Sequence, residues 1–461
     1  MMQAGERAKG INGNALLCCL YLGLYLLVAS VIALNQPLQD TYPYLSNPPD
    51  EHSRYLVPLY ICNHGTLPTG FEEELFSGDC RWTYGFYTLL PYMIQGYAMR
   101  FVKLFTQSPL ALLYTARFVN VFVGLLMAWV VRLISRKVFG EEQIRWLFCF
   151  LVTFLPQSIF LHTYVNPDSL CLLSTALIIY GLLCGYEDGF SRKACLILAA
   201  GVILCALSYY NAYGFILSAI LLFSAYFLKK QDGRWSFEWR ALLRKGLGIS
   251  ALVLLCISWS FIRNYILYDG DIIGLETKEN FIMSFGIERE TMKTRGEPLW
   301  QLFTDYPFLK DMVKSFIANY GSTSIFAPRS VYLFYLALFG VGGLCAAAFH
   351  GGEPLSSFGG DKLHRVFFHM NMIFCVVMPF ILLVRYAYSV DYQAQGRYIL
   401  PGVIPIMLYV VRGVEKLPVW GKMSPRGKSL VSGILMGLIV LCLLRMVFGA
   451  ALPLYLESEV L

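Results

Sequence analysis

Two adjacent carboxylates, Asp50 and Glu51, follow a proline pair in the stretch Ser46-Asn47-Pro48-Pro49-Asp50-Glu51-His52-Ser53-Arg54. A positioned carboxylate can take a proton from a hydroxyl in a transition state, and paired acids suit that work. Proline is accommodated just before or at a helix start and not inside one. Asp50 and Glu51 are therefore expected in a first helical turn, where the helix dipole favours anions. They read equally as capping charges, and because adjacent helical residues point about 100° apart, only one would face a given pocket. His52 and His64 stand alone and read as loop hydrogen-bonders.

Further along, Asn166-Pro167-Asp168 offers another acid, although the same tripeptide is a common turn and helix start. Gln395-Gly396-Arg397-Tyr398 combines a glycine, which lets a backbone approach a ligand, with an arginine beside a helix start. That combination suits a phosphate. Arg263-Asn264 is a second anion candidate; snorkelling to the membrane interface is the alternative for Arg263 and for Arg385. Arg117 lies in the outer half of an apolar run. There a charge costs up to about 2.5–3.5 kcal/mol at a helix centre, so it should face a partner or a cavity. Cys62 and Cys80 share one polar loop and would pair as a disulfide if that loop faces an oxidising side.

The elements that must position these residues are membrane helices. Hydrophobic residues make up 57% of the 461, charged residues only 15%, and the mean hydropathy is +0.56. Soluble domains carry roughly 25% charged residues, so this chain has too little polar surface for water. Apolar runs near the roughly 20 residues needed to cross a bilayer recur throughout. The net charge of +7 sits in short clusters between those runs, as topology determinants do, and does not point to nucleic acid. The first run, from about Ile11 to Leu34 after Arg7 and Lys9, is too long for a signal peptide and reads as a retained span.

Placing Arg7 and Lys9 in the cytoplasm fixes the rest by alternation. A long outer loop, 36–107, contains an amphipathic stretch from Trp82 to Phe105. Spans follow at about Pro109–Val131, Ile144–Leu161, Asp168–Gly185, Ala194–Tyr209, Ala212–Leu228 and Gly246–Leu267. A second long outer segment, 268–329, precedes spans at Val331–Phe349, Val366–Ser389, Tyr398–Val411 and Leu430–Phe448. The expectation is an all-α, multi-pass plasma membrane protein of about eleven spans. Residues 1–411 would form the catalytic unit, and 412–461 a cytoplasmic loop and the last span. Charge supports the alternation: Arg132-Arg136-Lys137, Arg192-Lys193, Lys229 through Lys245, Lys362-Arg365 and Arg412 through Lys428 all fall inside. Asp50, Asp168 and Arg397 then share the outer face, where carboxylates and arginines together suit an anionic lipid headgroup and a hydroxyl acceptor.

These residues carry a resemblance. Pro49-Asp50-Glu51-His52, the stretch ending Asn63-His64-Gly65-Thr66-Leu67-Pro68, Asn166-Pro167-Asp168, Arg263-Asn264 and Gln395-Gly396-Arg397-Tyr398 together resemble bacterial membrane proteins related to the GT-C glycosyltransferases. That superfamily includes the protein O-mannosyltransferases and the aminoarabinose transferase of lipid A. His52 departs from relatives that often have proline or alanine there. The resemblance implies a GT-C bundle that moves a sugar, with inversion, from a polyprenyl-phosphate carrier to a glycan, lipid or protein hydroxyl. It implies Asp50 as general base, Glu51 holding the acceptor, Arg397 and Arg263 on the carrier phosphate with Gln395, Tyr398 and Arg117 nearby, and Asp168 orienting the site or binding Mg²⁺ or Mn²⁺. Two rival expectations are a transporter or flippase of a lipid-linked saccharide and a glycan ligase or polymerase of the same fold using a diphosphate donor. A transporter would show paired halves with helices interrupted at midplane, and no such repeat is visible.

Overall fold

The protein is described from a computed structural model that covers residues 2–38, 47–77, 83–231, 234–286, 290–348 and 362–459. Helix α1 (Met2–Asn35) leads into α2 (Glu51–His64) and α3 (Leu90–Val102) of the first loop. Then come α4 (Pro109–Val138), α5 (Glu142–Thr153), α6 (Pro156–Leu161), α7 (Asp168–Asp188), α8 (Arg192–Ser208), α9 (Tyr213–Tyr226) and α10 (Trp239–Leu267). The second long loop folds into α11 (Leu275–Met283), α12 (Gln301–Thr304), α13 (Phe308–Ile317) and a small antiparallel hairpin pairing Asn319–Tyr320 with Ile325–Phe326. The remainder is α14 (Arg329–Ala348), α15 (Lys362–Ser389), α16 (Val403–Glu415), α17 (Pro418–Lys422), α18 (Pro425–Met446) and α19 (Leu452–Glu459).

Among the described residues, eight helices are long and apolar enough to cross a membrane. The three other expected spans are shorter. The segment 142–161 is broken into helices of 12 and 6 residues, and α8 and α9 have 17 and 14. The break in the first has a clear cause, since Pro156 has no N–H to continue the ladder and instead starts α6 at its first position. Eight helices thus meet the length and composition of a span while 142–161, α8 and α9 fall short of it, so the count of eleven is not established; both long loops fall where they were expected.

Helix starts follow the local sequence. Ser108, Ser191 and Ser424 each cap a following helix by accepting an N–H from three residues on, in two cases with proline in the first turn. Lipid tails are as apolar as leucine, so spans associate through close packing, and small residues permit it. At the crossing of α14 and α16, a Cβ on Gly413 would lie 1.7 Å from the Gly342 carbonyl oxygen. Any larger residue there would force the two backbones apart. At the end of the bundle away from Asp168, ion pairs fasten the chain: Lys137 with Glu187, Arg132 with Glu142, and Lys428 with Glu141, whose carboxylate also accepts from the Trp420 indole at 3.1 Å.

The first loop packs over the other end. Helix α3 is held to α2 by Arg100, which donates to the Cys62 carbonyl at 2.9 Å, and by Lys103, which donates to Asn63 at 2.8 Å. Its other face leaves Ile94, Tyr97 and Phe101 exposed, continuing into Leu104 and Phe105. This is the amphipathic stretch expected between Trp82 and Phe105, shaped to lie along an apolar surface. Cys62 is buried; Cys80 lies outside the described residues.

Candidate functional site

The turn Asn47-Pro48-Pro49 delivers Asp50 to the start of α2 in the left-handed region, with φ of 60°. A non-glycine residue there is uncommon, and aspartate is among the few that tolerate it. The Asp50 side chain makes no capping hydrogen bond to α2. It turns instead toward two arginines, accepting from Arg397 at 3.2 Å and from Arg54, one helical turn along α2, at 3.5 Å. The capping alternative for Asp50 is thereby set aside by geometry.

Arg54 links this carboxylate to a second one. Its other terminal nitrogen lies 3.4 Å from an Asp168 oxygen at the first residue of α7, and its guanidinium sits over the Tyr84 ring at 4.8 Å. Arg397 is set by the 3₁₀ segment Gly396–Gly402, which leads into α16. Gly396 is required there because a Cβ would lie 2.2 Å from the Phe316 amide nitrogen of α13. The Gly396 amide donates to the Ser315 hydroxyl at 2.7 Å. Arg397 also donates to the Tyr398 hydroxyl at 3.2 Å, which in turn donates to Gln393 at 2.6 Å.

Two acids and two arginines thus form one cluster whose formal charges cancel. The arginines and Asp168 are buried, whereas the Asp50 side chain is 41% exposed, so solvent reaches this carboxylate through an opening while protein encloses its other sides. Enclosure pushes the Asp50 carboxyl up, but the Arg397 and Arg54 charges and hydrogen bonds from Arg397 and Tyr84 outweigh it and hold it below its ordinary value. Asp50 is ionised at neutral pH. Beside it, the Nε–H groups of Arg54 and Arg397 and the Tyr92 hydroxyl are buried without a hydrogen-bond partner. Each such group costs about 1–3 kcal/mol, and together they are donors awaiting an acceptor. The Tyr92 hydroxyl is pushed well above its ordinary range, chiefly by burial, so it stays a donor. Such a constellation can take a proton from a hydroxyl at Asp50 and can offer cations to an anion.

The other expected residues have different surroundings. Glu51, fully buried, forms a bidentate pair with Arg117 at 2.9 and 2.5 Å and also accepts the Val165 amide at 2.8 Å. Arg117 spends its remaining donors on the carbonyls of Ala33, Gln36 and Pro37. Neither side chain has an open edge for acceptor or donor: the pair ties α1, α2, α4 and the turn before α7 together, which corrects the expectation for both. Asn166 is also structural. It donates to the Leu161 and Tyr164 carbonyls and accepts the Ser169 amide at 3.1 Å, which starts α7. Arg263 donates to the Pro68 carbonyl at 2.5 Å and Asn264 to Ile272 at 3.0 Å, anchoring the end of α10 to both long loops rather than joining Arg397. Gln395 immediately precedes the 3₁₀ segment. His52 is exposed, and His64 bonds Glu74 at 2.9 Å.

Arg54 and Tyr84 were not foreseen as site residues. A signal for Arg54 existed, because it lies four residues after Asp50 and so on the same helix face; nothing in the sequence marked Tyr84. A divalent cation at Asp168 was also expected. The two carboxylates that come together, Asp50 and Asp168, are already bridged by the Arg54 guanidinium, with the Arg397 guanidinium on Asp50 as well. This donor set does not fit a divalent cation.

Comparison with known proteins places the geometry in context. Residues 77–407 match the profile of the predicted membrane protein family DUF2142. No curated protein matches the sequence. Among solved structures, ArnT from Cupriavidus metallidurans bound to undecaprenyl phosphate superposes with a TM-score of 0.52 at 13% identity, covering 92% of this chain and 63% of that one. The apo form of ArnT gives 0.50 at 14% identity, with 92% and 62% covered. The oligosaccharyltransferase of Archaeoglobus fulgidus gives 0.48 at 15% identity, covering 96% of this chain and 55% of that one. The chain therefore spans under two thirds of the length of these structures. What it shares with ArnT is the GT-C fold.

Proposed function

Starting from a chain that belongs to the DUF2142 family of predicted membrane proteins and carries the GT-C fold, we propose that it is a membrane glycosyltransferase. In this reading it moves a sugar from a polyprenyl-phosphate carrier to a hydroxyl acceptor on the extracytoplasmic face of the plasma membrane, with inversion. The observation that carries the reading is Asp50: an ionised carboxylate, open to solvent, making no capping bond to its helix and held between two buried arginines. Asp50 takes the proton of the acceptor hydroxyl as that oxygen attacks the anomeric carbon. The bond from that carbon to the carrier phosphate breaks, and the phosphate leaves with the electron pair. Arg397, with its unused Nε–H, stabilises the leaving phosphate, since cations aimed at developing charge lower the barrier. The sidedness rests on the basic clusters in alternate loops, which put the N-terminus in the cytoplasm.

Purified protein, given a panel of polyprenyl-phosphate sugars with glycan, lipid and peptide acceptors, should form a new glycosidic bond of inverted configuration with at least one pair. Transbilayer redistribution of the carrier lipid with no new bond would overturn the reading in favour of a transporter. Turnover only with diphosphate-linked donors would replace it with a ligase or polymerase.

A further inference from the structure

Arg54 occupies an unusual place. It is buried on a loop helix, lies over the Tyr84 ring at 4.8 Å, and reaches one carboxylate with each terminal nitrogen: Asp50 at 3.5 Å and Asp168 at 3.4 Å. These two acids come from elements far apart in sequence, and they would repel each other without a cation between them. A divalent ion is one solution to that problem, because Mg²⁺ and Mn²⁺ bind through one or two carboxylates with water filling the remaining positions. Here the chain supplies the cation itself. The count of charges agrees, since Asp50 and Asp168 balance Arg54 and Arg397. A divalent ion added between the acids would sit against two guanidiniums, both buried, and like charges repel.

We propose that the Arg54 guanidinium holds the position between Asp50 and Asp168 that a divalent cation would otherwise take, making Arg54 the positioning residue for Asp50 and the transfer reaction independent of divalent metal. The proposal rests on the glycosyltransferase reading only for the word reaction; the cation replacement itself is a property of the resting protein. Guanidinium has two advantages over a metal here. Its planar fork fixes the direction of both carboxylates, and it cannot be removed by a chelator. It leaves Asp50 in hydrogen-bonding contact rather than in a metal bond, so a lone pair stays available.

The test uses the full-length protein in nanodiscs: wild type, Arg54→Ala, Arg54→Lys, Asp168→Asn and the double variant Arg54→Ala/Asp168→Asn. Mn²⁺ binding is read by the electron paramagnetic resonance signal of free Mn²⁺, which needs no substrate. Arg54→Ala should gain one Mn²⁺ site at least tenfold tighter than any in the wild type, and the double variant should lose it. Arg54→Lys, which keeps the charge, should bind no more Mn²⁺ than wild type. A residue that only supported the fold would not exchange for a metal in this way. Wild-type Mn²⁺ binding that disappears in Asp168→Asn would overturn the proposal, as would a folded Arg54→Ala protein that gains no site. If Arg54→Ala does not fold, the wild type and Asp168→Asn pair still decides. A separate arm measures wild-type product formation in excess chelator: unchanged turnover is expected, and loss restored by Mn²⁺ or Mg²⁺ overturns metal independence. Absence of product under every condition would count against the glycosyltransferase reading while leaving the Mn²⁺ result standing.

Discussion

Asp50→Asn isolates proton transfer from everything else Asp50 does. Asparagine is of the same size and, like aspartate, tolerates a φ of 60°, so the turn into α2 should persist where alanine would strain it. Its side-chain oxygen can still accept from Arg397 at 3.2 Å and Arg54 at 3.5 Å. What disappears is the negative charge. Hydrogen bonds to charged groups contribute about 1.5–3 kcal/mol and neutral ones about 0.5–1.5. Both contacts keep a charged donor, and the Asp50 side chain is 41% open to solvent, so the stability loss should stay near 1–2 kcal/mol. The chemical loss is larger. Positioned acid–base catalysis is worth about 10²–10⁴-fold, which at 1.36 kcal/mol per decade is about 2.7–5.4 kcal/mol of barrier. Turnover should fall by that factor while donor lipid binds as well as before or better, because the two arginines lose an internal competitor. The assay pairs product formation under saturating donor with binding of the same donor to the same folded preparation. Near-normal product formation by the Asp50→Asn protein would refute the assignment of Asp50 as base, whatever the binding shows.

Further expectations can be checked alongside. Arg397→Ala should weaken donor binding more than Arg397→Lys, because only guanidinium can hold two phosphate oxygens at once; equal, wild-type affinity in both would remove Arg397 from the site. Arg117→Met leaves Glu51 charged and buried with no cation, so unfolding in detergent should show a loss of about 3–5 kcal/mol, and an unchanged melting temperature would contradict the structural role given to that pair. Asp50 sits below its ordinary value, so its ionised form is favoured in the fold. The stabilisation it provides is present above about pH 3.8 and is lost as the pH falls through the lower folded value. Tyr84→Phe removes one hydrogen bond to the carboxylate and should move the acid limb of kcat/KM to higher pH; a limb that stays put would exclude Tyr84 as a donor to Asp50. Cysteine labelling should find positions beside Asp50, Asp168 and Arg397 accessible from one side of the membrane, and labelling from opposite sides would dissolve the shared site.

Much of this cluster was legible before any coordinates. Asp50, Asp168 and Arg397 lie far apart in sequence, yet alternation of apolar runs with basic loops assigned all three to one face, and the fold brings them together around Arg54. Arg54 itself was visible but mute: an acid and an arginine four residues apart reads as an ordinary surface helix pair, and only tertiary packing shows that this arginine is buried. The same limit explains Glu51 and Arg117. Two neighbouring acids look alike in sequence, and the 100° between them on a helix decides which meets the opening and which meets the core. Arg263 was read from its place near a membrane edge; its actual partner, the Pro68 carbonyl, belongs to a loop with no pattern to predict it. The span count was least legible. A helix broken by proline and two of 17 and 14 residues satisfy the hydropathy pattern without the length that pattern was taken to imply.

Helix α10 raises a question of membrane mechanics. Of its 29 residues only Val253 is buried, and it packs chiefly along α8. Its apolar stretch after Arg244 and Lys245, Gly246–Leu267, is about 33 Å long at 1.5 Å per residue, against roughly 30 Å of hydrocarbon. A span with one main neighbour meets a thinner bilayer by tilting further. Its far end is fastened to Pro68 of the first loop and to Ile272 of the second, so a change in tilt moves the chain that follows α2. The expected consequence is that vesicles of different acyl-chain length change turnover without any change in the donor.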